Sequence, residues 1–348
     1  MGPIEFGSQG GQWLRGDGAD SDIVMSCRIR LARNLRSYHF MPQIKPDAAK
    51  EAAGLVRDKV MGSLFKEDGQ YLSIEDLDEI DRMYLIERHL ISRELVNGEC
   101  ERGVAFGESE ITAVMINEED HVRLQVIFSG MELDRAWGEA QRVDGILEKQ
   151  LDFAFSSQFG YLTACPTNVG TGMRASVMLH LPALVMTKQI EKVFQAVSKI
   201  NLAVRGLYGE GTQASGDFYQ ISNQVTLGVS EASILDNIKR VVPRIIQYER
   251  NVREHLLAES RTSLEDKVYR AHGNLQNARV ITTEETMNLL SALRLGVNSG
   301  LVEGLEVEEV NKLFVLTQPG HLQKREQRAL DPDERDIARA KFIRSRLA

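Results

Sequence analysis

Two periods of apolar residues alternate along this chain. Residues 22–36 begin with a period of two: Ile29 and Leu31 fall on one face of an extended segment and Arg28 and Arg30 on the other. Residues 47–65 change to a helical spacing, with Ala49, Ala53, Val56, Val60 and Leu64 three or four apart. Residues 66–100 are charged and mixed, which predicts surface helix and loop anchored by Leu85, Ile86 and Leu90. Two runs of branched residues, 111–116 and 122–128, predict strands joined by the acidic turn Asn117-Glu118-Glu119-Asp120-His121. Residues 133–155 predict a long amphipathic helix with Leu133, Trp137, Ala140, Leu147, Leu151 and Ala154 near one face. An apolar strand over 175–186, broken by Pro182, precedes a helix over 188–200. Strand-like runs at 202–205 and 218–228 flank a loop with Gly206, Gly209, Gly211 and Gly216, which predicts a flap carrying Glu210. Ser230 caps the next helix, in which Pro243 predicts a kink.

Beyond about residue 257 the pattern is helical throughout, with turns at Gly273-Asn274, Gly300 and Pro319-Gly320. Its last helix is fully signalled: Asp331 as cap, Pro332 at the first position, Glu334 completing a capping box, and Arg344 and Arg346 at the C-terminal end. Strands and helices mix without strict βαβ alternation, so the expected class is α+β, an antiparallel sheet flanked by helices, followed by an all-helical domain. The expected divisions are a glycine-rich tail or appended remnant at 1–20, a mixed domain at 21–257 and a helical domain at 258–348.

Composition narrows the function classes. With 348 residues, 43% of them hydrophobic and 26% charged, the chain has material for two globular domains. A formal charge of −8 argues against nucleic-acid binding over the whole surface. Cys27, Cys100 and Cys165 are odd in number and far apart, so neither a disulfide framework nor a zinc set follows, and a reducing cytoplasm is expected. No apolar run reaches membrane-spanning length and no signal peptide is evident.

The chemistry gathers around Tyr161-Leu-Thr-Ala-Cys165-Pro-Thr-Asn-Val-Gly170-Thr-Gly172-Met-Arg174. Glycines, hydroxyls and exposed N–H groups there suit a phosphate or polar ligand; a tight turn around a structural cysteine is the plainer alternative. The glycine-lysine phosphate loop and the His-Arg-Asp and Asp-Phe-Gly motifs of common protein kinases are absent. Arginines at strand ends and loops stand in their place: Arg28, Arg30, Arg123, Arg174 and Arg205 would form an always-charged cradle for a triphosphate. Glu119 and Glu210 each lie beside an arginine-bearing strand. Three adjacent carboxylates at 118–120 repel unless cations answer them; a solvated hairpin turn is the alternative, and Arg123 favours an organised site.

Ser-Cys-Arg-Ile-Arg, Asn-Glu-Glu-Asp-His-Val-Arg, Cys-Pro-Thr-Asn-Val-Gly-Thr-Gly-Met-Arg and Val-Arg-Gly-Leu-Tyr-Gly-Glu, in that order across roughly residues 22–255, resemble the phosphagen (guanidino) kinases. The resemblance implies a glutamine synthetase-like antiparallel sheet, with ATP phosphates held by Arg28, Arg30, Arg123, Arg174 and Arg205. It implies that Glu119 and Glu210 grip the substrate guanidinium and that Cys165 lies against it, as a thiolate favoured by nearby cations. Mg²⁺ would be held by phosphate oxygens and water, so no side-chain metal set is expected. Two features differ from small-molecule members. Only 25 residues precede Ser26, where those enzymes carry a helical domain, and a C-terminal domain is added that contains Arg335-Asp336-Ile-Ala-Arg339-Ala340. This arrangement resembles bacterial protein-arginine kinases of the McsB type and implies phosphoarginine binding by Arg335, Asp336 and Arg339. Met178 stands where small-molecule enzymes have a histidine near the nucleotide, and Cys27 replaces their second serine.

The expected activity is ATP-dependent phosphorylation of arginine side chains in proteins, marking them for stress response or degradation. Kinase action on free arginine or another small guanidine, and a non-catalytic phosphoarginine-binding adaptor, are the alternatives. By resemblance the partners would be an activator protein, a stress-response repressor and a Clp-type unfoldase, and a homo-oligomer is expected.

Overall fold

The period-two segments pair into one sheet. A computed structural model describes residues 11–206 and 214–347 of the chain. Its strands are β1 (Val24–Arg33), β2 (Gly69–Ser73), β3 (Gly103–Gly107), β4 (Thr112–Ile116), β5 (Val122–Ser129), β6 (Phe155–Ser156), β7 (Gly160–Tyr161), β8 (Met173–His180), β9 (Leu202–Gly206) and β10 (Phe218–Asn223). Eight of them form a sheet in the order β2-β3-β4-β5-β1-β8-β10-β9, every neighbouring pair antiparallel. β6 and β7 make a separate small hairpin.

The helices are α1 (Pro46–Ser63), α2 (Glu79–Glu87), α3 (Arg93–Val96), α4 (Leu133–Glu148), α5 (Pro182–Met186), α6 (Ile190–Ser198), α7 (Glu231–Glu259), α8 (Arg261–Asn277), α9 (Thr283–Asn298), α10 (Val307–Leu316), α11 (Pro319–Glu326) and α12 (Pro332–Arg346). α1, α4 and α7 bury their apolar stripes against one sheet face, where Cys27, Ile29, Leu31, Leu124, Val126, Ala175, Val177 and Ile221 point. That is the main core. Opposite faces of a strand separate side chains by parity, so the same strands present their arginines on the other side. A second core joins the C-terminal helices to Trp13, Leu14, Met25, Ile127 and Phe218 near that arginine side.

The predicted antiparallel α+β sheet and its helical C-terminal region are both present, with local differences. Residues 12–14 form a short 3-10 turn, and Trp13 (5% exposed) and Leu14 (1%) are buried, so the stretch 11–20 is packed structure and not a loose tail. β2 lies within a stretch expected to be surface helix and loop. α4 stops at Glu148, although Leu151 and Phe153 continue to feed the core as irregular chain. Pro182 does not interrupt a strand; it occupies the first turn of α5, where its missing N–H costs nothing. α7 continues through Pro243 as one helix. The Ser230 cap and the Asp331–Glu334 capping box form as expected.

Two polar joints tie the C-terminal helices to the rest. Fully buried Arg294 on α9 donates to the carbonyls of Ser21 (2.7 Å) and Asp22 (3.0 Å), to His180 Nδ1 (3.0 Å) and to Asn311 (2.8 Å). Asn311 in turn donates to the Leu14 carbonyl at 3.1 Å. At the second joint the Glu87 carboxylate on α2 accepts from the N–H groups of Gly320 (2.7 Å) and His321 (2.9 Å) at the start of α11. A Cβ at Gly320 would stand 2.7 Å from the Tyr84 nitrogen, so only glycine permits this approach. Among the described residues no helix is long and apolar enough to cross a membrane, and the three cysteines are unpaired.

Candidate active site

Residues directly opposite in paired strands share a face. Arg30 on β1 is opposite Arg174 on β8 and Gln125 on β5; Arg28 is opposite Ser176; Arg123 is opposite Ala32. On the far side Gln220 of β10 is opposite both Met178 of β8 and Arg205 of β9. Arg28, Arg30, Arg123, Arg174 and Arg205 therefore stand on one face of the sheet, carried by the four strands β1, β5, β8 and β9. Glutamines and a serine separate them: Arg28 donates to Gln125 (3.3 Å) and Gln220 (2.9 Å), and Arg174 to Ser222 (3.1 Å). The Nε atoms of Arg30 and Arg174 are buried without an acceptor.

Such crowding is costly for cations. Burial, then the charges of Arg174 and Arg123, pull the Arg28 guanidinium down to about 10 from 12.5. Arg30 is lowered well below its ordinary value by burial and by Arg28, Arg123 and Arg174, and Arg174 by burial, Arg205 and Arg123. Buried N–H donors and excess positive charge on one surface are what a polyanion would satisfy.

The acidic turn divides its labour. Asn117 takes a positive φ of 56°, which asparagine tolerates, and its N–H closes the turn on the His121 carbonyl at 3.0 Å. Glu118 is the buried partner of Arg123. It also accepts from Ser92 Oγ (2.5 Å) and the Glu119 N–H (2.9 Å). Burial alone would raise its pKa, but Arg123 and these donors bring it below the ordinary value. Glu119 is looser, 39% exposed and 3.6 Å from Arg123 Nη1. Its pKa is raised: partial burial outweighs Arg123, and Asp120 and Glu118 add repulsion. One Asp120 oxygen accepts from Asn34 Nδ2 (2.6 Å) and from the Ala164 N–H (2.7 Å), fixing the turn to the segment that carries Cys165.

From Cys165 a short 3-10 turn over Pro166–Asn168 leads to Gly170 and Gly172 at φ +113° and +61°. Cys165 Sγ lies 3.0 Å from Thr167 Oγ1. A Cβ on Gly172 would meet the Ala32 carbonyl at 2.6 Å, which lets the loop run close along β1. The structure thus brings Glu119, Cys165 and four of the arginines to neighbouring edges of one face, with Arg205 exposed on β9. Glu210 lies outside the described residues.

Arg335, Asp336 and Arg339 share one face of α12, but they are not equivalent. Arg339 is 1% exposed; it donates to the carbonyls of Thr317 (2.9 Å) and Ile281 (2.9 Å) and pairs with Asp336. It clasps three segments of the helical region, where a solvated helix would have left it free. Arg335 is half-buried, with one contact to the Leu330 carbonyl at 3.4 Å.

Residue reasoning missed Glu118, Gln125, Gln220 and Ser222. Alternation could have found Gln125, two positions from Arg123, and Gln220 and Ser222 share a parity on β10; nothing local distinguishes Glu118 from Glu119. A cavity of about 770 Å³ between α2, α3 and α9, lined by Glu79, Arg82, Arg93 and Glu284 among others, includes none of the five arginines. A small cavity of about 40 Å³, lined by Trp13, His89, Met178 and Phe218, lies at the Arg28 end of the face.

Comparison with known proteins accounts for both halves. Residues 53–252 match the family model "ATP:guanido phosphotransferase, C-terminal catalytic domain", and residues 261–348 match "Protein-arginine kinase McsB C-terminal domain". The chain is 46% identical over 337 residues to the protein-arginine kinase of Bacillus thuringiensis subsp. konkukian (strain 97-27), covering 96% of this chain and 95% of that one. It is 46% identical over 338 residues to the protein-arginine kinase of Bacillus cereus (strain G9842), with 97% and 95% covered. Among solved structures, lombricine kinase superposes with a TM-score of 0.59 at 26% identity, covering 70% of this chain and 73% of that one. The duplicated taurocyamine kinase from Schistosoma mansoni, with bound transition state analog components, shares the fold at a TM-score of 0.60 and 24% identity; the match covers 74% of this chain and 38% of that longer one. The chain belongs to the ATP:guanido phosphotransferase family, on the branch whose relatives are protein-arginine kinases.

Proposed function

We propose that this protein transfers the γ-phosphoryl group of ATP to arginine side chains of proteins. The observation that carries the reading is the face of mutually repelling arginines bordered by the acidic turn and the Cys165 loop. Phosphoryl transfer depends mainly on positioning and charge neutralisation, and a preassembled guanidinium set supplies both. Arg28, Arg30, Arg123, Arg174 and Arg205 hold the triphosphate. Mg²⁺ would add charge neutralisation, and it would have to come in with the nucleotide, because Glu118 and Glu119, the acids bordering the face, are engaged with Arg123.

The acceptor guanidinium, with its pKa above about 12, must be oriented and relieved of a proton before its nitrogen attacks phosphorus. Glu119 takes that proton. Its exposed carboxylate, with a raised pKa, is the better base, whereas Glu118 keeps Arg123 in place. Glu210 is the second carboxylate of the fork and Cys165 lies beside the guanidinium. On α12, Arg335 meets the phosphoryl group of a bound phosphoarginine and Asp336 its guanidinium, with Arg339 holding Asp336 in position. An activator protein, a stress-response repressor and a Clp-type unfoldase are the expected partners of a cytoplasmic homo-oligomer.

The test is incubation with ATP and either an unfolded protein or free arginine, with acid-labile phosphate located by mass spectrometry. Phosphoarginine on the protein is expected. Turnover confined to free arginine would assign the chain to small guanidines instead.

A further inference from the structure

Nine large apolar side chains are exposed among the described residues, and five of them lie on two loops: Phe155 (52%) and Phe159 (45%) on the β6–β7 hairpin, and Val225 (40%), Leu227 (50%) and Val229 (37%) after β10. These loops are remote in sequence and stacked in space. Tyr161 and Gly170 exchange backbone hydrogen bonds at 2.8 and 3.2 Å. A Cβ on Gly160 would stand 2.5 Å from the Gly170 oxygen, and one on Gly170 would stand 2.2 Å from the Thr226 oxygen. Thr226 turns inward, 5% exposed, and donates to the carbonyls of Thr167 (2.9 Å) and Val169 (2.7 Å). The chain leaving Cys165 is thus sandwiched between the two apolar loops.

We infer that this patch docks the apolar side chains flanking the acceptor arginine in an unfolded protein segment. The inference rests on the protein-arginine reading above and adds how such a substrate is chosen. Exposed apolar clusters of this kind mark interaction surfaces. This one is continuous with the acceptor side of the site through Thr167, whose hydroxyl meets Cys165 Sγ at 3.0 Å. Charge points the same way: the Ala164–Asp120 bond places the 39% exposed Glu119 carboxylate on the neighbouring turn, a match for a cationic side chain. A folded protein hides its apolar residues and free arginine has none, so an unfolded segment alone offers both halves of the match.

The full chain is assayed with two soluble peptides, each with one arginine, flanked by Leu and Phe in one and by Ser and Gly in the other. The expected kcat/KM is about tenfold higher for the apolar peptide, expressed in KM, which is what roughly 60 Å² of buried apolar surface supplies. The double variant Phe159→Ser/Leu227→Ser loses this preference and keeps its rate on the Ser/Gly peptide. Equal use of both peptides by the parent protein overturns the docking surface alone, as does a variant that slows both peptides alike. A variant that sediments differently while keeping the preference assigns the patch to self-association and also overturns the proposal. Turnover of free arginine with neither peptide modified defeats the functional reading, and the docking proposal with it.

Discussion

Replacing Arg30 by methionine should make the nucleotide-free protein more stable while destroying its use of ATP. Arg30 is directly opposite Arg174 across the β1–β8 ladder, shares its face with Arg28 and Arg123, and has a buried Nε with no acceptor. Its charge is therefore desolvated and repelled, offset only in part by Glu118, which is already committed to Arg123. Replacing buried ionic groups by apolar residues of similar size stabilises by about 1–4 kcal/mol, and incomplete burial of Arg30 favours the lower part of that range. One kcal/mol corresponds to roughly 2–4 °C of Tm in domains of 150–250 residues. The parent should recover its deficit with nucleotide, since a ligand at 100 times its Kd adds about 2.7 kcal/mol. Differential scanning fluorimetry with and without MgATP should show the two proteins exchanging order: Arg30→Met melts higher alone, the parent higher with nucleotide. An Arg30→Met protein that melts below the parent without nucleotide would mean that the arginine face is already neutralised in the free enzyme, and the polyanion argument would fail.

Three further predictions separate neighbouring or hidden groups. Glu119→Gln should fold normally and lose about 10²–10⁴ in kcat, the usual contribution of a positioned base, and in the parent the acid limb of the rate profile should lie above the ordinary carboxylate value of 4.5 because Glu119 is raised. Glu118→Gln should instead cost stability, about 3–5 kcal/mol by urea titration, because it strips the 1% exposed partner from Arg123; equal effects at the two positions would refute the division of roles. His180 is held neutral by burial and by Arg294 and Arg253, its pKa well below 6.5. As pH falls below 6.5 the unfolded chain gains a proton that the folded chain refuses, so this residue's contribution declines by about 1.4 kcal/mol per pH unit. His180→Asn should flatten the dependence of stability on pH between 6.5 and 5 by one proton's worth, and an unchanged slope would contradict the neutral assignment.

Much of the site was legible because β-strand parity is a local property. Arg28 and Arg30 fix their own face from spacing alone, and the runs around Arg123 and Arg174 bring those residues to strands of the same sheet. What spacing does not carry is which strands adjoin. The order β5-β1-β8-β10-β9 rests on long-range ladders backed by α4 under β5 and β1, α7 under β8 and β10, and α6 beside β9, and only that order places Gln220 against Arg28. α4 was overextended because Leu151 and Phe153 remain core residues after the helix has ended; burial continues while the backbone changes its partners, from the helix to the segment around Leu35. The strand predicted through Pro182 failed because a proline that is poor in a ladder is well suited to a helix start. Arg339 shows the limit most clearly. Its spacing from Arg335 is correct for a shared helix face, yet beyond the local pair with Asp336 it is held by the carbonyls of Ile281 and Thr317, contacts that no local pattern encodes.

The Arg294–Asn311 joint has a consequence for biosynthesis. The backbone of residues 14–22, which leads into the central strand, is held by side chains 273 and 297 positions later in the chain. At about 5–20 residues per second a ribosome takes roughly 15–60 s to cover that distance. Throughout that interval the Leu14 and Ser21 carbonyls lack the side chains that donate to them, and Trp13 and Leu14 lack the helices that bury them. Translation that stalls before α10 emerges therefore leaves a sheet with its entry segment unsecured, so the ordering of this N-terminal stretch reports that the C-terminal helices have been made.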